Sequence, residues 1–454
     1  MNSLKNNSEE KRESKVSLIM WLPLLWLLRV GSRSLAYWFD PELATVEDGL
    51  DYLHGNIFDR TFFLTLMAMG GAVLVYRRFA LFEFVRNNKL LVLLYIYMAV
   101  TILWSAFPEV AMRRWVRSVG DLMMVLVVFT ETDYVKSIHW MLRRFAYILV
   151  PLSVIFVKYY RHLGVAYDYS GRFTMWIGVT THKNSLAQLV ALSSLFFVWA
   201  YFRKKGSLFD IPVLIMSLWL LGGSPSADSA TSILAFLSGS VMTFAFLRMR
   251  HVKHLAYYVA IFFSAVLLTE VMLNSFFGTS IFSVIVESRG RDETLTGRTD
   301  LWVEVIREGM LRPWGGAGYG TFWMGDLTHN LWEIFPWRPM NAHNGFLDIF
   351  LELGFIGLGL VVALIVVTIK GVLRLMARGS EFAKFRFIWL VLIIVYNISE
   401  SSYTRPTALL WFIFLLFAVN DPNPSGEELR EETTYNEDFD FDSKVVQYTE
   451  GVEG

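Results

Sequence analysis

Apolar residues gather along this chain in runs of 15–25, separated by short polar segments rich in arginine and lysine. A membrane-crossing helix needs roughly 20 such residues. Windows of about 19 residues place spans near 16–38, 61–76, 90–106, 111–130, 145–160 and 185–202. Six more follow near 208–223, 229–247, 255–277, 344–369, 385–399 and 407–420. The pattern predicts an all-α polytopic membrane protein of about 12 transmembrane helices. Its plan is an N-terminal tail (1–15), helices 1–9 (16–277), one large outer loop (278–343), helices 10–12 (344–420) and a C-terminal tail (421–454). The first span is interrupted by Arg29 and Arg33. It follows Lys11, Arg12 and Lys15 without a small-x-small cleavage site, which predicts an uncleaved helix rather than a signal peptide.

Composition supports this reading. Of 454 residues, 54% are hydrophobic and 18% charged, against about 25% charged in ordinary soluble domains; a soluble enzyme is excluded. The 41 basic and 41 acidic residues cancel, so no basic surface points to nucleic acid. With no cysteine there are no disulfides, thiolate zinc sites or cysteine nucleophiles.

Orientation follows from where the basic residues fall. With the N-terminus inside, 22 of the 41 lie on inner segments, 17 on outer segments and two in the C-terminal tail. The positive-inside rule then places both termini in the cytoplasm. The outer face still holds more arginine than orientation requires: Arg113, Arg114, Arg117, Arg172, Arg289, Arg291, Arg298, Arg307, Arg312, Arg338 and Arg405, with Lys158, Arg161 and Lys183. Guanidinium binds phosphate oxygens bidentately and does not lose its charge. The set suggests a site for an anionic ligand, and snorkelling or local acid pairing is the plain alternative for any one residue.

Within the large loop, Thr299 or Asp300 is positioned to cap a surface helix. Its apolar face is Leu301, Trp302, Val305, Ile306 and Met310, and Pro313 stops it. The following Gly315-Gly316-Ala317-Gly318-Tyr319-Gly320 lacks the preceding strand of a nucleotide loop and reads as a turn allowing close backbone approach. The tail has 11 acids against Arg430 and Lys444; it reads as a solvated, disordered cytoplasmic segment, including the DxD-like Asp438-Phe439-Asp440-Phe441-Asp442.

Two outer segments share a form: Thr181-His182-Lys183-Asn184 before the sixth span, and Asn341-Ala342-His343-Asn344 before the tenth. Asparagine there suits a helix cap. A histidine at a helix start beside water suits a general base, whose contribution is roughly 10²–10⁴ in rate. Gly171-Arg172 stands near the first histidine, and Gly297-Arg298 precedes the second. The acids Asp121, Asp228, Glu270 and Glu400 lie within or at the ends of spans and are functional candidates by position; Asp121 has Arg117 one helical turn away.

The ordered set Gly297-Arg298-Thr299-Asp300-Leu301-Trp302, Pro313-Trp314-Gly315-Gly316-Ala317-Gly318, Ala342-His343-Asn344 and Leu351-Glu352-Leu353-Gly354 resembles the signature region of the O-antigen ligase and polymerase superfamily. His182-Lys183-Asn184 and the polar stretch Ser224 to Ser232 are also similar, most to the ExoQ-type exopolysaccharide polymerases. The resemblance implies a GT-C-like glycosyltransferase of the bacterial plasma (inner) membrane. Such an enzyme works on the outer face from a polyprenyl-diphosphate-linked oligosaccharide, inverting, with no metal and no cofactor. It implies His343 as the base toward the acceptor hydroxyl, Arg298 as the grip on the diphosphate, and Arg172 as the second arginine. A flippase and a chain-length regulator are the implied partners, beside membrane lipids. The chemistry of the residues agrees, because a diphosphate leaving group needs a metal or fixed cations. The outer loops offer arginine rather than carboxylate clusters, and His182, Lys183 and Arg291 extend the cationic shell. Asn344 and Glu352 read as supporting residues.

Three functions therefore compete. A polymerase adds the growing chain to a lipid-linked repeat unit, whereas a ligase moves it to lipid A-core. A secondary transporter also suits twelve helices with buried acids. Transporters, however, tend to have related halves, and here the halves differ and the long loop follows the ninth span.

Overall fold

A computed structural model describes residues 16–39, 57–167, 174–223, 229–248, 258 and 293–420. The helices used below are α1 (Trp21–Val30), α2 (Ile57–Tyr76), α3 (Lys89–Thr101), α4 (Pro108–Val128), α5 (Tyr134–Tyr159), α6 (Lys183–Phe202) and α7 (Asp210–Gly222). They continue with α8 (Ala230–Arg248), α9 (Glu293–Gly309), α10 (Asp326–Ile334), α11 (Gly345–Ala377), α12 (Glu381–Ser399) and α13 (Leu409–Ala418). Among the described residues, six helices are long and apolar enough to cross a membrane, or up to seven if a bent pair is one span. The chain is a multi-pass membrane protein.

Each predicted window outside residues 249–292 falls on a helix. The ninth window apart from residue 258, the two tails and residues 278–292 of the outer loop lie outside the described residues. The first, seventh and twelfth windows fall on shorter apolar helices, Leu18–Val30, Asp210–Gly222 and Leu409–Ala418. The all-α expectation has one exception, an antiparallel hairpin of β1 (Val165–Tyr167) and β2 (Thr174–Trp176) that pairs Val165 with Trp176. Strand-forming valine, tyrosine, threonine and tryptophan occupy it.

The core lies where α6 packs on α7 and α8, and α12 on α8 and α11. It is dense in aromatic rings: Phe196, Phe197, Phe385, Phe387, Trp389 and Trp411 are almost wholly buried. Apolar side chains on the opposite side of α2, such as Leu64, Met69 and Val75, stay exposed, as suits contact with lipid tails. Ion pairs join segments predicted to share a membrane face. Arg77–Glu131 and Arg203–Glu381 link inner segments, while Arg29–Asp59 and Arg298–Glu400 link outer ones.

The two arginines interrupting the first span have protein partners. Arg29 Nε stands 2.6 Å from Asp59. Arg33, 2% exposed, donates to the carbonyls of Leu163 (2.7 Å), Val179 (3.2 Å), Thr180 (3.0 Å) and Gly178. One guanidinium thus gathers the outer segment on both sides of the hairpin, satisfying carbonyls that no helix or sheet ladder takes up.

α11 is broken at Gly354 (φ 66°, ψ −169°). A break strips peptide groups of their helical partners, and in an apolar layer the protein must supply others. The glycine turn predicted at 315–320 does so. Ala317 N and Gly318 N donate to the Leu351 and Glu352 carbonyls at 2.9 Å each, and Phe355 N donates to Pro313 O at 2.8 Å. The Glu352 carboxylate accepts from Gly320 N at 3.0 Å. The approach is close enough to require glycine on both sides. A Cβ on Gly316 would stand 2.4 Å from the Glu352 carbonyl carbon, and one on Gly354 2.2 Å from that of Trp314.

Two outcomes check this frame by thermal unfolding of the purified protein in detergent. Gly354→Ala combines a clash with a left-handed φ and is expected to cost about 3 kcal/mol or more; an unchanged melting temperature would refute the tight plug. Arg33→Met orphans several carbonyls at once and is expected to cost about 2–4 kcal/mol.

Candidate functional site

The helix predicted to start at Thr299 or Asp300 begins earlier, at Glu293, and ends at Gly309. Leu301 and Val305 bury one face of it against Phe350 and Leu351 of α11 and against Phe322 and Trp323, while Ile306 and Met310 remain exposed. Arg298 and Trp302, four residues apart, lie one turn from each other on this helix. Trp302 Nε1 donates to Ala342 O at 2.7 Å, and Arg298 Nη1 donates to Ser399 O at 2.8 Å. The Gly-Arg-x-x-x-Trp spacing therefore ties one helix both to the Ala-His-Asn segment and to the end of α12.

That Ala-His-Asn segment is fixed residue by residue. Ala342 N donates to Asp348 Oδ1 (3.0 Å) and His343 N to Asn341 Oδ1 (2.9 Å). Asn344 N donates to Ser401 Oγ (3.1 Å). Asn344 caps α11, its Oδ1 accepting from Phe346 N and Leu347 N at 3.1 Å each. His343 itself is held at φ 49°, a region a non-glycine residue enters at a cost of order 1–3 kcal/mol and one that clusters at functional sites. Its ring lies 5.7 Å from that of Trp337, and its side chain is 20% exposed.

The residue that unites the site is Glu400, just past α12. Its Oε2 is 3.6 Å from His343 Nδ1, and its Oε1 lies 3.8 Å from Arg298 Nη2 and accepts from Asn184 Nδ2 at 2.6 Å. Partial burial raises the carboxyl pKa, but His343, Arg298 and His182 outweigh it and hold Glu400 below the usual carboxylate range. Burial lowers the Arg298 pKa against the pull of Glu400, from a starting value high enough to keep the guanidinium charged. His182 sits within electrostatic reach of Glu400, His343 and Arg298.

Several sequence expectations change here. For α6, His182 rather than Asn184 is the cap, its Nδ1 accepting from Asn184 N at 3.2 Å; the Asn184 amide is drawn away to Glu400. Lys183 is the first residue of that helix. Glu352, read as a supporting residue, accepts from Gly320 N in the glycine plug. Arg172 and Arg291 lie outside the described residues. The outer arginine surplus is partly absorbed by the protein: Arg113 pairs with Glu109 at 3.7 Å, Arg307 pairs with Glu304, and Arg114 donates to Gly320 O. Glu400 carried one sequence signal, its place at the outer end of an apolar span, but nothing local tied it to His343. Among the described residues, no group of three or more histidine or carboxylate side chains is arranged to hold a metal.

With this geometry in place, comparison with known proteins narrows the identity. A family model described as O-antigen ligase matches residues 215–362, which include Arg298, His343 and the glycine plug. The exopolysaccharide production protein ExoQ of Rhizobium meliloti (strain 1021) is 26% identical over 298 residues, covering 62% of this chain and 64% of that protein. The aligned part thus spans a little under two thirds of that relative's length. Motif order and both matches agree: the chain is similar to the O-antigen ligase and polymerase superfamily, most to its ExoQ-like side.

Proposed function

We propose that the protein polymerises exopolysaccharide or O-antigen repeat units on the outer face of the bacterial plasma membrane. It transfers a growing glycan from polyprenyl diphosphate to a newly exported lipid-linked repeat. Twelve crossings, a GT-C-like architecture, cytoplasmic termini, and a flippase and chain-length regulator as partners belong to the same proposal. The observation that carries it is the convergence on Glu400 of three separate outer segments, bearing Asn184, Arg298 and His343.

A carboxylate facing Nδ1 favours the tautomer with its proton there, which leaves the Nε2 lone pair as base. His343 accepts the proton of an acceptor hydroxyl as that oxygen attacks the anomeric carbon from the face opposite the diphosphate. The anomeric C–O bond breaks with inversion, and its electron pair leaves on the diphosphate. Arg298 meets the developing charge with the N–H groups not given to Ser399. Lys183, with Arg172 and Arg291, completes the cationic shell, His182 adds a neutral ring N–H beside it, and no cofactor or metal enters the scheme. A ligase that delivers the chain to lipid A-core would use the same parts, and the description of the matching family model favours keeping it as the second reading.

The deciding experiment is transfer by purified protein from a defined diphosphate-linked oligosaccharide, with lipid-linked repeat and lipid A-core as rival acceptors and EDTA present. His343→Ala is expected to reach the membrane at normal level and lose transfer by roughly 10²–10⁴; normal polymer yield from it would sink the role of His343. Arg298→Ala should lower donor use, and Arg298→Lys should recover little, because lysine lacks the planar fork.

A pH test addresses Glu400. Its folded pKa lies below its ordinary value, so its contribution to stability is present above the ordinary carboxylate pKa and lost as pH falls through the depressed one. The melting-temperature advantage of wild type over Glu400→Gln should be full at pH 7 and shrink below about pH 4. A difference that stays constant to about pH 3 would contradict a depressed pKa.

A further inference from the structure

The loop after α12 that begins with Glu400 is bent against the preferences of its residues. Thr404 and Thr407 both have φ 58°, and left-handed backbone is a genuine outlier for a β-branched residue. Such conformations persist only where the surroundings over-determine them, and two fully buried side chains do so here. Asn397, in the last turn of α12, accepts at Oδ1 from Ser402 N, Ser402 Oγ and Tyr403 N, each at 3.0 Å. Asp121, on α4, accepts at Oδ2 from Thr407 N (2.9 Å) and at Oδ1 from Trp26 Nε1 (2.7 Å).

Asp121 is 0% exposed and stands at the start of the apolar run 122–128 of α4, where a carboxylate is costly and retained for a reason. Arg117 is one turn away, yet both oxygens of Asp121 are taken by neutral N–H donors. One of these comes from α1 and the other from the far end of the Glu400 loop. The same loop grips the Ala-His-Asn segment through Ser401.

We infer that Asp121 is a positioning residue for glycan transfer: by anchoring Thr407 to α4, it fixes the strained loop that sets the Glu400 carboxylate against His343. The inference rests on the proposed function. It also says why the residue is aspartate. Two donors converge on one side chain, and asparagine has a single acceptor oxygen, so its amide group would face one of those donors.

The test uses the full-length purified protein and the transfer assay above, with kcat and KM measured separately and His343→Ala as reference. Asp121→Asn is expected to lower kcat by roughly a hundredfold, the scale of a displacement of about 1 Å, with KM little changed. Trp26→Phe alone should stay near wild type. Combined with Asp121→Asn it should recover much of the lost kcat, because the asparagine oxygen is then free to accept from Thr407 N. In a Glu400→Gln background, Asp121→Asn should add little, since both act through one carboxylate. Full activity of Asp121→Asn, a loss in KM alone, or no recovery in the double variant overturns the inference while an inactive His343→Ala leaves the proposed function standing. Active His343→Ala overturns both.

Discussion

A transmembrane helix that breaks inside an apolar layer must have its freed peptide groups satisfied by the protein, and this constraint organises the part of the molecule that holds His343 and Glu400. The break at Gly354 leaves the Leu351 and Glu352 carbonyls and the Phe355 N–H without helical partners; the glycine turn supplies the first two and Pro313 O, just before it, the third. The plug fixes the first half of α11 against the outer loop. That half-helix starts at Asn344, so the position of His343 follows from the plug. Two of the four motif blocks, Pro-Trp-Gly-Gly-Ala-Gly and Leu-Glu-Leu-Gly, are thus two sides of one backbone joint.

The other two blocks form the chemical side of the same frame. Trp302 anchors Ala342, and one turn away Arg298 reaches the end of α12. His343 therefore sits between a helix that carries a cation and a loop that carries a carboxylate. In the partly water-excluded mouth of a helical bundle, a single acid facing an imidazole and a guanidinium holds both in orientation. Glu400 stays ionised because these neighbours outweigh the cost of its burial.

Arginine on the segments predicted to be outer is largely engaged within the protein. Arg29, Arg33, Arg113, Arg114 and Arg307 are engaged by acids or carbonyls, which is how strongly polar groups are accommodated near an apolar layer. Arg298 instead meets the end of α12 and the loop after it, with Nη1 donating to Ser399 O and Nη2 3.8 Å from Glu400. The count of arginines predicted to be outer did not show which of them the protein itself engages.

The sequence alone determined what depends on neighbours in the chain. Runs of about 20 apolar residues decide helices, glycine pairs decide a turn with close approach, and the motif order singled out Arg298 and His343. What only the tertiary structure decided depends on residues far apart in sequence meeting in space. Glu400 became the centre of the site, the Asn184 amide left its helix start for that carboxylate, and Glu352 closed on the glycine turn. Periodicity reports which face of a helix is apolar. It carries no record of which loop meets which, because those meetings are settled by how the helices pack.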